Sequence, residues 1–357
     1  MSYALLKNYS MKTRTLIKQL PIFSLVVFLI YSCNLDDYNK PNGYKYSIGE
    51  FPEIPTNLTD FNTQYDDYNS TAPSLGETFP LCFSSNRRSN GNNYDIIYKL
   101  MSIDFSKTSG ILNVFNNTNG NSDVVIENGN LTIALNIINT TSNEFGPYLI
   151  PKGRKQGGTN INGRYESYIF LYSSGSSGNQ DIMYTHNLDR EAYELPKKVD
   201  FINSEFDDAY PTFNKDNSKL FFTSNREGIY NIYSNETDNT KDILEILNNT
   251  NTIPIKSTIL SSPFDDKCPF ILGDFMVFTS NRDGGYGGYD LYYSIYDNGE
   301  WSLPINFGDK INTQYDEFRP IVREQWDFSN DIMIFSSNRP GGLGGFDLYY
   351  VGIKKIN

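Results

Sequence analysis

One histidine, two tryptophans and three cysteines in 357 residues leave little for chemistry that depends on those side chains. A Ser-His-Asp triad would have to use His186, which reads as a surface-loop residue just after a strand. No His/Cys cluster has zinc spacing. Cys82 and Cys268 fall at different places in the pattern described below, so two buried free thiols are expected instead of a disulfide framework. Basic charge is scarce as well, with 30 Lys and Arg against 42 Asp and Glu and a net charge of −12. Such a surface repels nucleic acid, and no nucleic-acid role is expected. The one long apolar run, Leu20 to Tyr31, is too short to span a bilayer as a folded helix.

What is abundant is aromatic and turn-forming. Phe, Tyr and Trp make up 15% of the chain, with 27 Tyr, 24 Phe and 27 Gly, a composition suited to short strands and tight turns. The stretch Phe278 to Tyr293 recurs almost letter for letter as Phe335 to Tyr350. Weaker copies sit at Phe83-Ser84-Ser85-Asn86-Arg87, at Tyr172-Ser173-Ser174-Gly175 and at Phe222-Thr223-Ser224-Asn225-Arg226. Each copy reads as a strand, a glycine-bearing turn and a second strand. Before it comes an aromatic-acidic-acidic turn and then a proline that opens an innermost strand: Pro73, Pro147, Pro211, Pro269 and Pro320. With a variable fourth strand outermost, each unit is a propeller blade. The Gly284 to Gly288 turn joins two strands and lacks a Lys-Ser/Thr pair, so it is not a phosphate loop.

Spacing sets the count. Asn86, Gly175, Asn225, Asn281 and Asn338 mark successive units, and the first interval is about thirty residues longer than the others, enough for a long outer hairpin near 109–141. The expected fold is all-β, a propeller of four-stranded antiparallel blades, with five blades favoured over six. Asn62-Thr63-Gln64-Tyr65-Asp66 repeats Asn312 to Asp316, so residues 44–58 should supply the outer strand missing after Tyr350 and close the ring.

At the N-terminus, Lys12, Arg14 and Lys18 precede the apolar run, and Ile30-Tyr31-Ser32-Cys33 resembles a bacterial lipobox. The expected organisation is a lipoprotein signal peptide over 1–32, a lipidated Cys33 and tether over 33–43, and one propeller domain over 44–357. Removing residues 1–32, which carry Lys7, Lys12, Arg14 and Lys18 and no acid, deepens the net charge from −12 to −16. Membrane contact is then expected through Cys33 alone.

The motif Ser-Asn-Arg-x-Gly-Gly-x-Gly-Gly-Tyr/Phe-Asp-Leu-Tyr-Tyr, after an acidic pair and a proline, resembles the TolB-type, WD-like propeller repeat of Bacteroidetes envelope proteins over roughly residues 60 to 350. That resemblance implies a protein-binding module in the periplasm or at the cell surface, on an outer-membrane lipoprotein, and no enzyme. Two sets of residues stand out. Asn86-Arg87, Asn225-Arg226, Asn281-Arg282 and Asn338-Arg339 recur too regularly for one active site, and are expected to clamp blades by bridging carbonyls and an Asp such as Asp290 or Asp347. Asp66, Glu144, Asp207, Asp265 and Asp316 are expected at the mouth of the central channel. There they either hold a hard cation such as Ca²⁺, meet a basic partner segment, or simply cap their own turns. The reading that follows is a non-catalytic lipoprotein that binds a protein partner through the channel mouth, with the 109–141 loop as a second contact. The alternatives are a glycan-binding propeller or a five-bladed glycoside hydrolase using the mouth carboxylates.

Overall fold

The computed structural model describes residues 44–73, 78–118, 130–159 and 162–355. Five antiparallel sheets follow one another along it, each with inner, second, third and outer strands. The inner strands are Asp67–Thr71, Glu144–Gln156, Asp208–Phe213, Asp266–Leu272 and Glu317–Arg323, and the blades are numbered 1 to 5 in that order. The protein is therefore a five-bladed β-propeller, and the six-blade alternative is not realised. Second strands such as Phe275–Ser280 and Asp331–Ser337 are buried at every residue, because each sheet is covered on both faces by its neighbours. Ring closure follows the repeated Asn-Thr-Gln-Tyr-Asp. Thr56 and Asn57 pair with Tyr350 and Tyr349, so the outer strand of blade 5 comes from the opposite end of the domain.

Two expectations about local structure are corrected. The prolines do not open the inner strands. Asn69, Gly146, Tyr210, Cys268 and Arg319 occupy the left-handed region, with φ of 59, 54, 58, 58 and 49°, and the strand register slips at each of them. Pro147, Pro211, Pro269 and Pro320 directly follow these bulge residues, where no ladder donor is needed; Ser70 holds that place in blade 1, and Pro73 lies beyond the strand.

The long first interval is also more than a hairpin. Leu112–Asn116 forms the outer strand of blade 1, and a helix α1, Asn130–Ile138, follows. Leu131, Ala134, Leu135 and Ile138 bury one face of α1 against Cys82 and Ile96 of blade 1 and Leu149 and Phe170 of blade 2. At about 1.5–3 kcal/mol for each large side chain fully buried, this wedge makes a substantial contribution to the blade 1 to blade 2 junction. A second short helix α2, Ile243–Asn249, starts at Asp242, whose carboxylate accepts from the Leu244 N–H. Cys33, the signal sequence, the tether and residues 119–129 of the long first interval lie outside the described residues. No helix among the described residues is long and apolar enough to cross a membrane.

Candidate functional site at the channel mouth

The second acid of each pair opens its inner strand and is fully buried. Asp67, Asp208, Asp266 and Glu317 receive Arg87, Arg226, Arg282 and Arg339 at 2.5, 2.6, 2.5 and 2.9 Å. Each guanidinium also donates through Nε to Ser85, Ser224, Ser280 or Ser337, and through Nη2 to the carbonyl of Phe61, Ile202, Leu260 or Ile311. Asp290 and Asp347 are not the partners of these arginines. Asp290 accepts from the Tyr286 N–H and Asn306, and Asp347 from the Leu343 and Gly344 N–H groups and Asn57. Asn86, Asn225, Asn281 and Asn338 in turn accept the N–H of Asp66, Asp207, Asp265 and Asp316. The Asn-Arg pair therefore ties the second strand to the inner strand of its own blade, not one blade to the next.

The clamp between blades is made by the first acid. Asp66, Asp207, Asp265 and Asp316 accept the backbone N–H of Phe346, Gln180, Tyr230 and Tyr289, each from the preceding blade, at 2.9, 2.9, 3.0 and 2.9 Å. Asn143 does the same for Tyr94. Glu144 thus leaves the expected ring, being the counterpart of Asp67 and not of Asp66. The remaining carboxylates accept across four seams instead of capping their own turns. No group of three or more His, Cys, Asp or Glu side chains among the described residues is placed to hold a metal. The glycines serve the same seam. Gly284 has φ 86°, but a Cβ on Gly287 or Gly288 would collide with Thr313, Gln314 and Asp316 of blade 5. Close approach, more than positive φ, explains the doubled glycine pairs.

The mouth itself is aromatic. Tyr68 packs against Tyr94, Phe145, Phe346 and Phe318 with ring centres 5.0, 5.7, 5.7 and 6.4 Å away, and Phe318 meets Tyr289 edge-on at 5.5 Å. Lys267 lies 4.0 and 4.9 Å from the Tyr230 and Tyr289 ring centres and 3.3 Å from Asp265. Tyr94, Tyr230 and Tyr289 donate their hydroxyls to Asp66, Asp207 and Asp265. Burial first, then these carboxylates, push the three phenols up, so they remain donors. For Asp265, burial opposes ionisation, but the Tyr289 hydroxyl, the Tyr230 N–H and Lys267 together hold it below the usual carboxylate range. Blade 5 breaks the pattern. Phe346 stands where the tyrosine would be, so Asp316 accepts only the Tyr289 N–H on Oδ1 and Asn338 on Oδ2.

Sequence reasoning passed over a third recurring element. Asn62, Asn139, Asn203 and Asn312 each bond both backbone groups of one third-strand residue: Leu348, Ile96, Ile182 and Leu291. An amide side chain here imitates one residue of an outer strand. The signal was legible as an apolar residue, Asn and Thr/Ser ahead of the inner strand of every blade except blade 4, where Ser261 replaces Asn. His186 also differs from expectation. It ends the third strand Asp181–His186 and is buried, and burial lowers its pKa against the opposing pull of Glu194 and Asp189. Cys82 and Cys268 are buried free thiols.

No family model and no curated protein matches the sequence. Among solved structures, a thermostable family-43 glycoside hydrolase superposes with a TM-score of 0.51 at 12% identity, over 85% of this chain and 94% of that one. An alpha-L-arabinofuranosidase from Podospora anserina, solved with cellotriose, gives 0.45 at 10%, over 86% and 97%. At these identities the likeness establishes the five-bladed fold. It gives no support to a TolB-type assignment. The family-43 structure is named a glycoside hydrolase, and the expectation of a non-catalytic protein-binding propeller, and with it of a chain that is not an enzyme, is withdrawn.

Proposed function

We propose that the chain is a glycoside hydrolase whose sugar site is the channel mouth between blades 4 and 5, in an envelope lipoprotein anchored through Cys33. The observation that carries this reading is that two carboxylates of adjacent blades flank one aromatic residue. Asp265 accepts the Tyr289 hydroxyl at 2.7 Å, and Asp316 accepts the Tyr289 N–H at 2.9 Å. Glycosidic cleavage needs two carboxyl groups, one donating a proton to the leaving oxygen and one acting as base or nucleophile. Asp265, held ionised by Tyr289, Tyr230 and Lys267, suits the second role. Asp316, which no tyrosine hydroxyl engages because Phe346 stands in that place, is assigned the first. Phe318, Tyr289 and Tyr68 offer ring faces and edges of the kind that pack against a pyranose or furanose.

The test is hydrolysis of a panel of aryl glycosides, including arabinofuranosides and xylosides, by the full chain and by Asp316→Asn and Asp265→Asn. Turnover by the wild type and a loss of at least about a hundredfold in either variant, the usual range for removing a general acid or base, are expected. Sugar binding without turnover of any glycoside, or turnover indifferent to Asp316→Asn, would overturn the reading.

A further inference from the structure

Below the mouth, the axis of the propeller carries positive charge with no counterpart. The bulge residues converge there. Tyr210 lies over Gly146, where a Cβ would strike its ring, and it sits within electrostatic reach of Asn69, Cys268 and Arg319. Arg319 is fully buried, the largest side chain among the described residues to be so. Its Nη1 and Nη2 reach only the carbonyls of Pro269 and Pro147, at 3.3 Å each, and Nε has no acceptor. Its Cζ stands 5.5 Å from the Tyr210 ring centre. Asn69, at the equivalent place in blade 1, reaches the Tyr210 hydroxyl only loosely and makes no well-formed hydrogen bond from Nδ2 or Oδ1. Arg323, on the same inner strand, adds a second guanidinium that bonds the carbonyl of Ala72.

The four motif arginines each have a buried carboxylate; among the described residues the buried Arg319 and the half-buried Arg323 have none. Taking a guanidinium out of water without a counter-charge is strongly unfavourable. Cys268 and Tyr210, beside Arg319, do not supply one. Burial pushes the Cys268 thiol up to about 12 and the Tyr210 phenol well above its ordinary value, so both stay neutral at physiological pH. Carboxylates of the mouth are engaged along the blade seams. The missing charge must come from solution, and with the Tyr210 ring occupying the space over Gly146 it must be small.

We propose that the channel axis binds a monovalent anion of chloride size, which accepts from Arg319 Nε and Asn69 Nδ2. Its role is to let the inner strands of blades 1 and 5 meet around a charged centre.

Two measurements on the full chain test this. Crystals transferred into bromide are expected to show an anomalous peak within hydrogen-bonding distance of Arg319 Nε. Thermal unfolding in chloride against gluconate at equal ionic strength is expected to show a melting temperature that climbs with the logarithm of chloride concentration, since an anion that binds only the folded state stabilises it by mass action. Arg319→Leu should abolish that slope, and Asn69→Gly, compatible with the positive φ, should reduce it. No bromide peak, or an undiminished chloride slope in Asn69→Gly, overturns the proposal even where Arg319→Leu does not fold.

Discussion

Blades 2 and 4 share one strand plan and hold their buried carboxylates in opposite ways. In blade 4, Asp266 meets Arg282 at 2.5 Å, and Arg282 also lies over Phe278 and Tyr292 with ring centres 5.2 and 5.0 Å away. In blade 2, Gly175 and Ser176 replace the Asn and Arg, and Glu144 is fully buried with hydroxyl and N–H donors only, from Thr140 and Ser174. The same blade has Asn143 for the first acid and Gln180 for the seam tyrosine. What blade 2 loses in ion pairing is offset by packing: α1 fills its junction with blade 1, and its first two strands run on to Gln156 and from Arg164. Charge pairing is thus one of two interchangeable ways to secure a blade here, and its removal should matter only where it is the way in use.

The largest effect should come from Arg282→Ala. It leaves Asp266 buried and unpaired, and breaking one partner of such a pair typically costs about 3–5 kcal/mol. Ser176→Ala, the equivalent site in blade 2, should stay within about 0.5 kcal/mol. Chemical denaturation of both variants reads the contrast directly. Equal, small losses would mean that the guanidinium is not what secures blade 4.

A second contrast is in pH dependence. Burial, outweighing the Thr140 and Ser174 hydrogen bonds, raises the Glu144 pKa in the folded state. The folded protein then holds this proton more tightly than the unfolded chain does. Glu144 accordingly contributes stability that is present below the unfolded carboxyl pKa, about 4.3, and lost as pH rises through the raised folded value. Glu317 is also raised by burial but has Arg339 beside it, so Glu144→Gln isolates the blade 2 component. The variant should lose less stability than the wild type between about pH 4 and pH 7. Parallel stability curves for the two proteins would remove Glu144 from the account.

These contrasts also show where the sequence could be read and where it could not. Blade count and ring closure were legible because they rest on one-dimensional repetition: Asn62 to Asp66 repeats Asn312 to Asp316, and the strand Thr56–Asn57 falls where that copy requires. The partner of Arg282 was not legible. Asp266 and Asp290 both stand opposite Ser280, one on each neighbouring strand, and only the course of the turn in three dimensions decides which of them faces the guanidinium. The two acids of each pair look alike in sequence but occupy different environments, one buried at the strand start and one on the blade seam, which is how Glu144 came to be grouped with Asp66. The candidate sugar site depends on a single departure, Phe346 for tyrosine, whose meaning appears only when the Asp316 hydrogen bonds are counted.

The smallest expected effect is a gain. If blade 2 lacks only the guanidinium, then Gly175→Asn with Ser176→Arg should rebuild the clip that the other four blades use. Gly175 does not have a positive φ, and a Cβ there would press mainly on the flexible end of Gln180, so the backbone tolerates the change. The new arginine would convert Glu144 from a buried carboxyl raised by burial into a paired carboxylate, and should flatten the pH dependence just described. A net gain of about 1 kcal/mol is expected, because the favourable pair is partly cancelled by the desolvation of the guanidinium. A loss of stability in this double variant would mean that α1 and the Thr140 and Ser174 hydroxyls have already closed the space around Glu144, and that blade 2 cannot return to the pattern of blade 4.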